Sequence, residues 1–486
     1  MPKETPTRND SKEAVFGGQI VAEETPVVQL QFPYNINPAL VDTLTTGSGS
    51  IAVVDSVAEL STGAAANSRA ILFSKRPAAY YPGQGQSIKF TTRFSTGVEG
   101  NTQTMGVGDL SDGYAVGMFG SDFGIRRRYG GAKETRTFKI TAGATNSGNV
   151  TITINGTAQV VPVVAGESFG EIAWTMAGFD YSAFDEGWET IYDGDGVHFR
   201  SYDNGEKDGT FSFVDTDATG VTMTIVRDLV GVDANDEIIT QSDFNQNKVS
   251  WLDPTKGNVY RIRYQWLGYG KILYEVEQPT LGIFVPMHII TYANENLIPS
   301  TQNPTLPLCI ESHNTTNTTD VTIGTASAAI FVEGRIKPFE VLHSAAIENI
   351  TVSTDEVPLI SLHNELDFQG KPNRVISKIE LISISADGAQ PVFFTISRGN
   401  KLIGPVDLNP HDEDESIMEI DTSATGIEIT DQDLTTVLDK TGSRLVILDD
   451  IINIFIQSGE TLSISAHTNN GSNGSVSVTV TWKELF

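Results

Sequence analysis

Glu275 and Glu277, two residues apart in ILYEVEQ, are carboxylates whose spacing could do chemistry. Cleaving a glycosidic bond takes two carboxyls roughly 5–9 Å apart, and alternate residues of a strand place two side chains on one face. The same spacing also describes a solvated sheet face. Arg261 and Arg263 on the preceding strand supply opposite charges for cross-strand pairs, and we read the glutamates as part of that face. Asp109 and Asp112 in GVGDLSDGYAVGMF and Asp122 in GSDFG sit beside glycines, where a carboxylate turns the chain by accepting nearby backbone N–H groups. Calcium or sugar binding is their alternative role. Asp193-Gly-Asp195-Gly lacks the further ligands and terminal glutamate of an EF-hand loop.

The histidines, His198, His288, His313, His343, His363, His411 and His467, are scattered, with no HxH or HxxxH pair. With a single cysteine, Cys309, they give no zinc framework, and neither an internal disulfide nor a metal or other cofactor is expected. Cys309 lies in LPLCIES, an apolar strand context that reads as a buried, inert thiol. The acidic HDEDES, residues 411–416, reads as a solvated loop. Arg126, Arg127 and Arg128 form the one dense basic spot. Pairing with acidic residues of a neighbouring subunit is its first reading, and anion or glycan binding its second. No Walker sequence or dinucleotide fingerprint is present. No catalytic or metal site is expected, and a binding site is not assigned.

The chain has 61 acidic against 32 basic residues, a formal charge of −29. That excludes a general nucleic-acid or anionic-membrane surface, which needs clustered Lys and Arg. No apolar run reaches the roughly 18 residues that span a bilayer. The polar start MPKETPTRNDSKEAVFGG lacks the apolar core of a secretory signal. The expectation is a soluble protein made in a cytosol, with its Asn-x-Ser/Thr triplets arising by composition.

Such side chains need elements to hold them, and the strongest element is NVYRIRYQWLGYGKILYEVE, residues 258–277. Tyr260, Ile262, Tyr264 and Trp266 alternate with polar residues. Gly268 and Gly270 turn the chain, and Ile272, Tyr274 and Val276 resume the alternation, which predicts a hairpin whose aromatic face needs a second sheet. Short strands with Gly, Asn and Asp punctuation run from Ser48 to Gly131, the rhythm of an antiparallel sandwich. From Phe138 the pattern changes. FKITAG and NVTITING read as a hairpin. Ser168 with Glu171 makes a capping box ahead of a helix presenting Phe169, Ile172, Ala173 and Met176, and several strands then return. The spacing predicts an arm over 1–25 (a flexible tail, or a segment docking on a partner) and a sandwich over 26–137 and 232–338. It places an α+β insertion at 138–231 and a jelly-roll-like two-sheet domain at 339–486. The fold class is mainly β.

The segment YPGQG with FTTRFSTGVEGNTQTMGVGDLSDGYAVGMFGSDFGIRRRYGG, then VYRIRYQWLGYGKILYEVE and ITYANENLIPSTQNPTLPL, resembles a family of structural proteins from tailed phages and large double-stranded DNA viruses. In that family a lectin-like sandwich is joined to other β modules. NVTITINGTAQVVPVVAGESFGEIAWTMAG is similar to a small module of phage fibre and baseplate proteins. SGETLSISAHTNNGSNGSVSVTVTWKELF is similar to the closing strands of virion jelly rolls. The resemblance implies a non-enzymatic virion component (fibre, spike, tail appendage or capsid decoration) assembled in the host cytoplasm. It further implies a lectin-like sandwich displayed for host attachment, a homotrimer, and other virion proteins and a host-surface glycan as partners. Alternatives are a carbohydrate-binding adhesin outside a virion and a polysaccharide-degrading enzyme.

Overall fold

The computed structural model describes residues 24–184, 187–207, 209–334, 341–388, 390–438, 442–447, 454–469 and 474–485. The chain is mainly β: an antiparallel two-sheet sandwich, a small α+β insertion, and a jelly-roll-like sandwich. It divides into two compact units, Met1–Gly131 with Ala234–Pro338, and Ala132–Asp233 with Phe339–Phe486. Up to residue 23 the expected N-terminal arm lies outside the described residues.

In the first unit the hairpin forms in the register its alternation sets, Tyr260 opposite Val276 and Ile262 opposite Tyr274. It lies in a six-stranded sheet, with Gln86–Thr92 on one side and Ile283–Ile290 on the other. A seven-stranded sheet runs Asn235–Thr240, Asp122–Tyr129, Gly113–Phe119, Asn101–Gly108, Leu308–Asn314, Ser68–Ser74, Val41–Thr46. Tyr260, Ile262 and Tyr264 share a core with Met105, Val116 and Ile125 from that second sheet. Removing such large apolar side chains from water stabilises by about 1.5–3 kcal/mol each.

The polar face of the hairpin departs from the solvated surface that its sequence describes. Glu275 is only 2% exposed. Arg261 holds it with two hydrogen bonds, 2.6 and 3.0 Å, and Arg263 adds contacts of 3.0 and 3.2 Å. Arg261 also lies over the Phe284 ring at 4.2 Å. Two guanidinium groups laid flat across one carboxylate cover it, so the pairing is cross-strand and buried. The basic triplet likewise finds its partners within the chain. Arg127 pairs with Glu237 at 2.8 Å, Arg128 with Asp236 at 2.7 Å, and Arg126 with Glu311 at 3.4 Å. The strand Asn235–Thr240, adjacent to Asp122–Tyr129, delivers Asp236 and Glu237 in register, and Glu311 comes from Leu308–Asn314. A neighbouring subunit is not needed to neutralise the triplet.

In the second unit the insertion carries two sheets and the helix Phe169–Ala177 over one core that includes Ile172, Ala173 and Met176. Glu171 accepts from the Ser168 backbone N–H at 3.0 Å, which starts the helix where the box predicts. The anticipated hairpin between FKITAG and NVTITING does not form. Lys133–Ala142 pairs with Gly196–Asn204 and Thr222–Leu229, whereas Gly148–Ile154 pairs with Thr157–Val163 and Phe211–Asp215. The tight turn lies one strand later, at Asn155-Gly156, where both residues have positive φ, +46° and +83°. That is the turn an Asn-Gly pair favours.

The jelly-roll-like domain faces a sheet containing Leu342–Val352, Gly474–Leu485 and Ile376–Asp387 against one containing Val357–Asn364, Thr461–Thr468 and Val392–Arg398. Val476, Val478, Val480 and Trp482 alternate into its core. The insertion is tied to this domain by two backbone hydrogen bonds. Leu402 N–H donates to the Tyr192 hydroxyl and Gly404 N–H to Ser168 Oγ, both 3.1 Å.

Candidate functional site

The sequence-level candidates divide sharply once placed. Asp109 accepts from the N–H groups of Ser111 (2.7 Å) and Asp112 (2.9 Å), and Asp112 accepts from Gly130 and Gln302, both 3.1 Å. Both carboxylates fasten turns. Asp122 opens its strand from a hairpin turn, opposite Phe119. Cys309 is buried, and burial pushes its thiol far above the ordinary range. Residues 412–415 of HDEDES are exposed. Glu275 is spent on its arginines.

Asp193-Gly-Asp195-Gly goes elsewhere. It forms the turn between Trp188–Tyr192 and Gly196–Asn204, with Asp193 Oδ1 accepting from Gly196 N–H at 2.7 Å. Gly194 has φ +108°, and a Cβ there would come within 2.8 Å of Val406, so only glycine lets the two aspartates approach the jelly-roll-like domain this closely. Both are buried, and both line a cavity of about 260 Å³ within the second unit.

Two cross-strand rows make most of the walls. From the insertion, Thr137 stands opposite His198 on one neighbouring strand and Val226 on the other. Phe138 and Phe199, one residue along, turn into the module's own core. From the jelly-roll-like domain, His363 stands opposite Glu419 and Thr461, while Leu362 turns into its core. Strict alternation thus sets one polar row on each module, and Glu365, Asp367 and Lys139 join the lining with Leu366 and Leu408. Val226 and Asp228, on the edge strand Thr222–Leu229, are exposed members of the lining.

A relay of hydrogen bonds crosses the insertion side. His198 Nε2 lies 2.8 Å from Asp193 Oδ2, and His198 Nδ1 lies 2.6 Å from the Thr137 hydroxyl, which donates to Asp228 at 2.7 Å. A hydroxyl that gives its one proton to a carboxylate accepts from the imidazole, so both His198 nitrogens carry protons. Burial alone would lower this imidazole, but the Asp193 carboxylate overrides it and raises His198 to about 9. Burial raises Asp193 as well; the imidazolium outweighs it and holds that carboxyl below its usual range. His363 stacks on His198 with ring centroids 6.2 Å apart and planes 10° apart. Burial lowers His363 to about 4, leaving it neutral at neutral pH. Its Nδ1 meets Thr461 Oγ1 at 2.9 Å, and its Nε2 is buried with no partner.

The carboxyls around them move upward. Burial raises Glu419 to about 8, aided by the nearby Glu365 and Asp193 charges, and raises Glu365 to about 7. Burial and Asp193 raise Asp195 to about 6 against the pull of Lys139, whose ammonium lies 3.0 Å away. Among the described residues no group of three or more His, Cys, Asp or Glu side chains is arranged to hold a metal ion, and no helix is long and apolar enough to cross a membrane. Sequence reasoning missed this site because its residues come from six separate stretches. The available signal was a buried-type turn, Asp-Gly-Asp-Gly, with two acids where one suffices.

No family model matches the chain, and no curated protein matches it. Solved structures to which it is similar include the exoplasmic/lumenal domain of VIP36 in its Ca2+/Man3GlcNAc-bound form, 12% identical with a TM-score of 0.26 over 64% of this chain and 92% of that one. A legume lectin-like domain from Entamoeba histolytica is 12% identical, TM-score 0.22, over 62% and 95%. The receptor-binding domain of botulinum neurotoxin type G is 8% identical, TM-score 0.24, over 80% and 64%.

Proposed function

We propose that this chain is a non-enzymatic carbohydrate-binding attachment protein whose recognition site is the polar cavity of the second unit. The observation that carries the reading is that cavity itself. It is a recess of about 260 Å³, smaller than a drug-sized pocket of roughly 300–1,000 Å³, and its volume and dense hydrogen-bonding walls suit one sugar residue. The test is a glycan array probed with the full chain, followed by product analysis of any glycan bound. Capture of a defined sugar class without released product supports the reading, and an array without hits removes it.

The placement on a virus particle, as a homotrimeric fibre, spike, tail appendage or capsid decoration, draws its support from the sequence resemblance and the modular β architecture. Light scattering at micromolar concentration should return three times the 52.5 kDa chain mass; a monomer counts against it.

One observation favours a second reading, a glycan-cleaving enzyme. Asp193 is held ionised in the same cavity where Glu419 is held protonated, and opposed carboxyls of this kind serve as base and acid. Released sugar that disappears in Glu419→Gln would establish it in place of simple binding.

A further inference from the structure

The cavity has an unusual hydrogen-bond inventory. Its donors are already engaged: Lys139 on Asp195, both His198 nitrogens on Asp193 and Thr137, and the Thr137 hydroxyl on Asp228. What is left over is two carboxyls and one imidazole nitrogen. Among the described residues neither the Glu365 nor the Glu419 carboxyl receives a hydrogen bond, and both are half-buried. The third open group is His363 Nε2, on a side chain with 0% exposure. Buried polar atoms are normally satisfied, and leaving one open costs the full desolvation of that group. Three open groups on one wall of one cavity are set close together: His363 and Glu419 face each other across adjacent strands, and Glu365 follows His363 by two residues.

One imidazole acceptor beside two unpaired carboxyls, which become pure acceptors when they ionise, defines the complementary ligand. Once those carboxyls are ionised, a carboxylate or phosphate is repelled by this wall, and a neutral sugar hydroxyl brings one donor along with lone pairs that the wall cannot use. A primary ammonium brings three donors and no acceptor. We propose that Glu365, Glu419 and the Nε2 of His363 form a subsite for a primary ammonium group, carried by an amino sugar. The amino-sugar part rests on the carbohydrate-binding reading above; the ammonium part does not. In this arrangement His363 accepts through Nε2 while its Nδ1–H donates to Thr461, and the stacked His198 imidazolium helps keep His363 uncharged. The ammonium adds positive charge beside Glu365 and Glu419 to that of the His198 imidazolium, so its entry ionises them and expels protons to the buffer.

Isothermal titration calorimetry of the full chain at pH 7, run in two buffers of different ionisation enthalpy, tests this with four probes: glucosamine, N-acetylglucosamine, 1,5-diaminopentane and calcium chloride. Glucosamine should bind and release protons, and acetylation of its nitrogen should weaken binding by on the order of tenfold or more, as expected for loss of charge-assisted hydrogen bonds. Glu419→Gln, checked for folding by its thermal transition, should reduce glucosamine binding by a similar factor and reduce proton release. Binding of 1,5-diaminopentane equal to that of glucosamine keeps the ammonium subsite and removes the sugar. N-Acetylglucosamine binding at least as well as glucosamine overturns the ammonium subsite and leaves the carbohydrate reading standing. Calcium binding with no response to either amine, or no binding of any probe by the folded wild-type chain, overturns the proposal.

Discussion

At the scale of single residues, burial decides what a charge does here. Glu275 and Glu277 are alike in sequence, yet Glu275 lies beneath two guanidinium groups while Glu277 is half-buried. Glu275→Ala leaves Arg261 buried without its partner, which should cost about 3–5 kcal/mol. Glu277→Ala should stay within about 0.5 kcal/mol of the parent, and urea denaturation of the two variants reads the difference. The cavity's titrating groups set a pH dependence whose sign follows from proton counting. His198, raised from 6.5 to about 9, contributes stability that is complete below pH 6.5 and is lost as pH rises towards 9. Glu419 and Glu365, raised from 4.5 to about 8 and about 7, stay protonated in the folded chain while the unfolded chain ionises them, so they lose stability over the same rise. His363, lowered to about 4, acts in the opposite sense, but only below 6.5. Between pH 6.5 and 8 the folded state holds the extra protons, and the unfolding free energy should fall, by at most about 1.4 kcal/mol per pH unit for each proton in excess. Denaturant titrations across that window should show the decline, and Glu419→Gln should flatten it.

At the scale of elements, turns and caps place the cavity walls. Gly156 has φ +83° with open space where a Cβ would go, so Gly156→Ala carries only the backbone strain of a left-handed alanine, about 1 kcal/mol. Gly194→Ala meets both strain and a collision with Val406, and should disturb Asp193 and Asp195 together. Its signature is loss of ligand binding beyond any loss of stability, whereas Gly156→Ala should bind as the parent does. Ser168 stands at the helix start and also accepts from Gly404 N–H. Ser168→Ala should therefore cost about 1 kcal/mol in the cap and loosen the insertion from the jelly-roll-like domain, readable as faster hydrogen exchange at Gly404. The helix box was legible in the sequence because it is a contact over a few residues; the Asn-Gly turn is equally local but was not read there. The mistaken pairing of FKITAG with NVTITING shows the limit of that reasoning, since two adjacent strands of suitable pattern choose partners by what covers their faces.

At the scale of the molecule, the insertion enters and leaves the first unit at neighbouring points. Tyr129 and Asn235 are register partners on adjacent antiparallel strands, so the residues between them hang from the tip of what is otherwise a hairpin. Joining Tyr129 to Asn235 through a two-residue Asn-Gly turn should leave a sandwich that unfolds in one cooperative transition with the near-ultraviolet signal of packed tyrosines. Loss of that signal would show that the sandwich depends on its guest.

What the sequence determined by itself was local or periodic: strands with a buried face, the helix and its cap, the hairpin at residues 258–277, an acidic surface unsuited to nucleic acid. Alternation and capping act between residues a few positions apart, so one dimension suffices to read them. Only the tertiary structure decided which carboxylates were free to act. Glu275, of the pair that looked most chemical, is neutralised by residues on the adjacent strand, whereas Asp193, His198, His363, Glu365 and Glu419, which suggest no common site in their own stretches, face one another across two modules. Their shifted protonation and open hydrogen-bonding capacity come from shared burial, and burial is a property of the packed chain that no stretch of it carries alone.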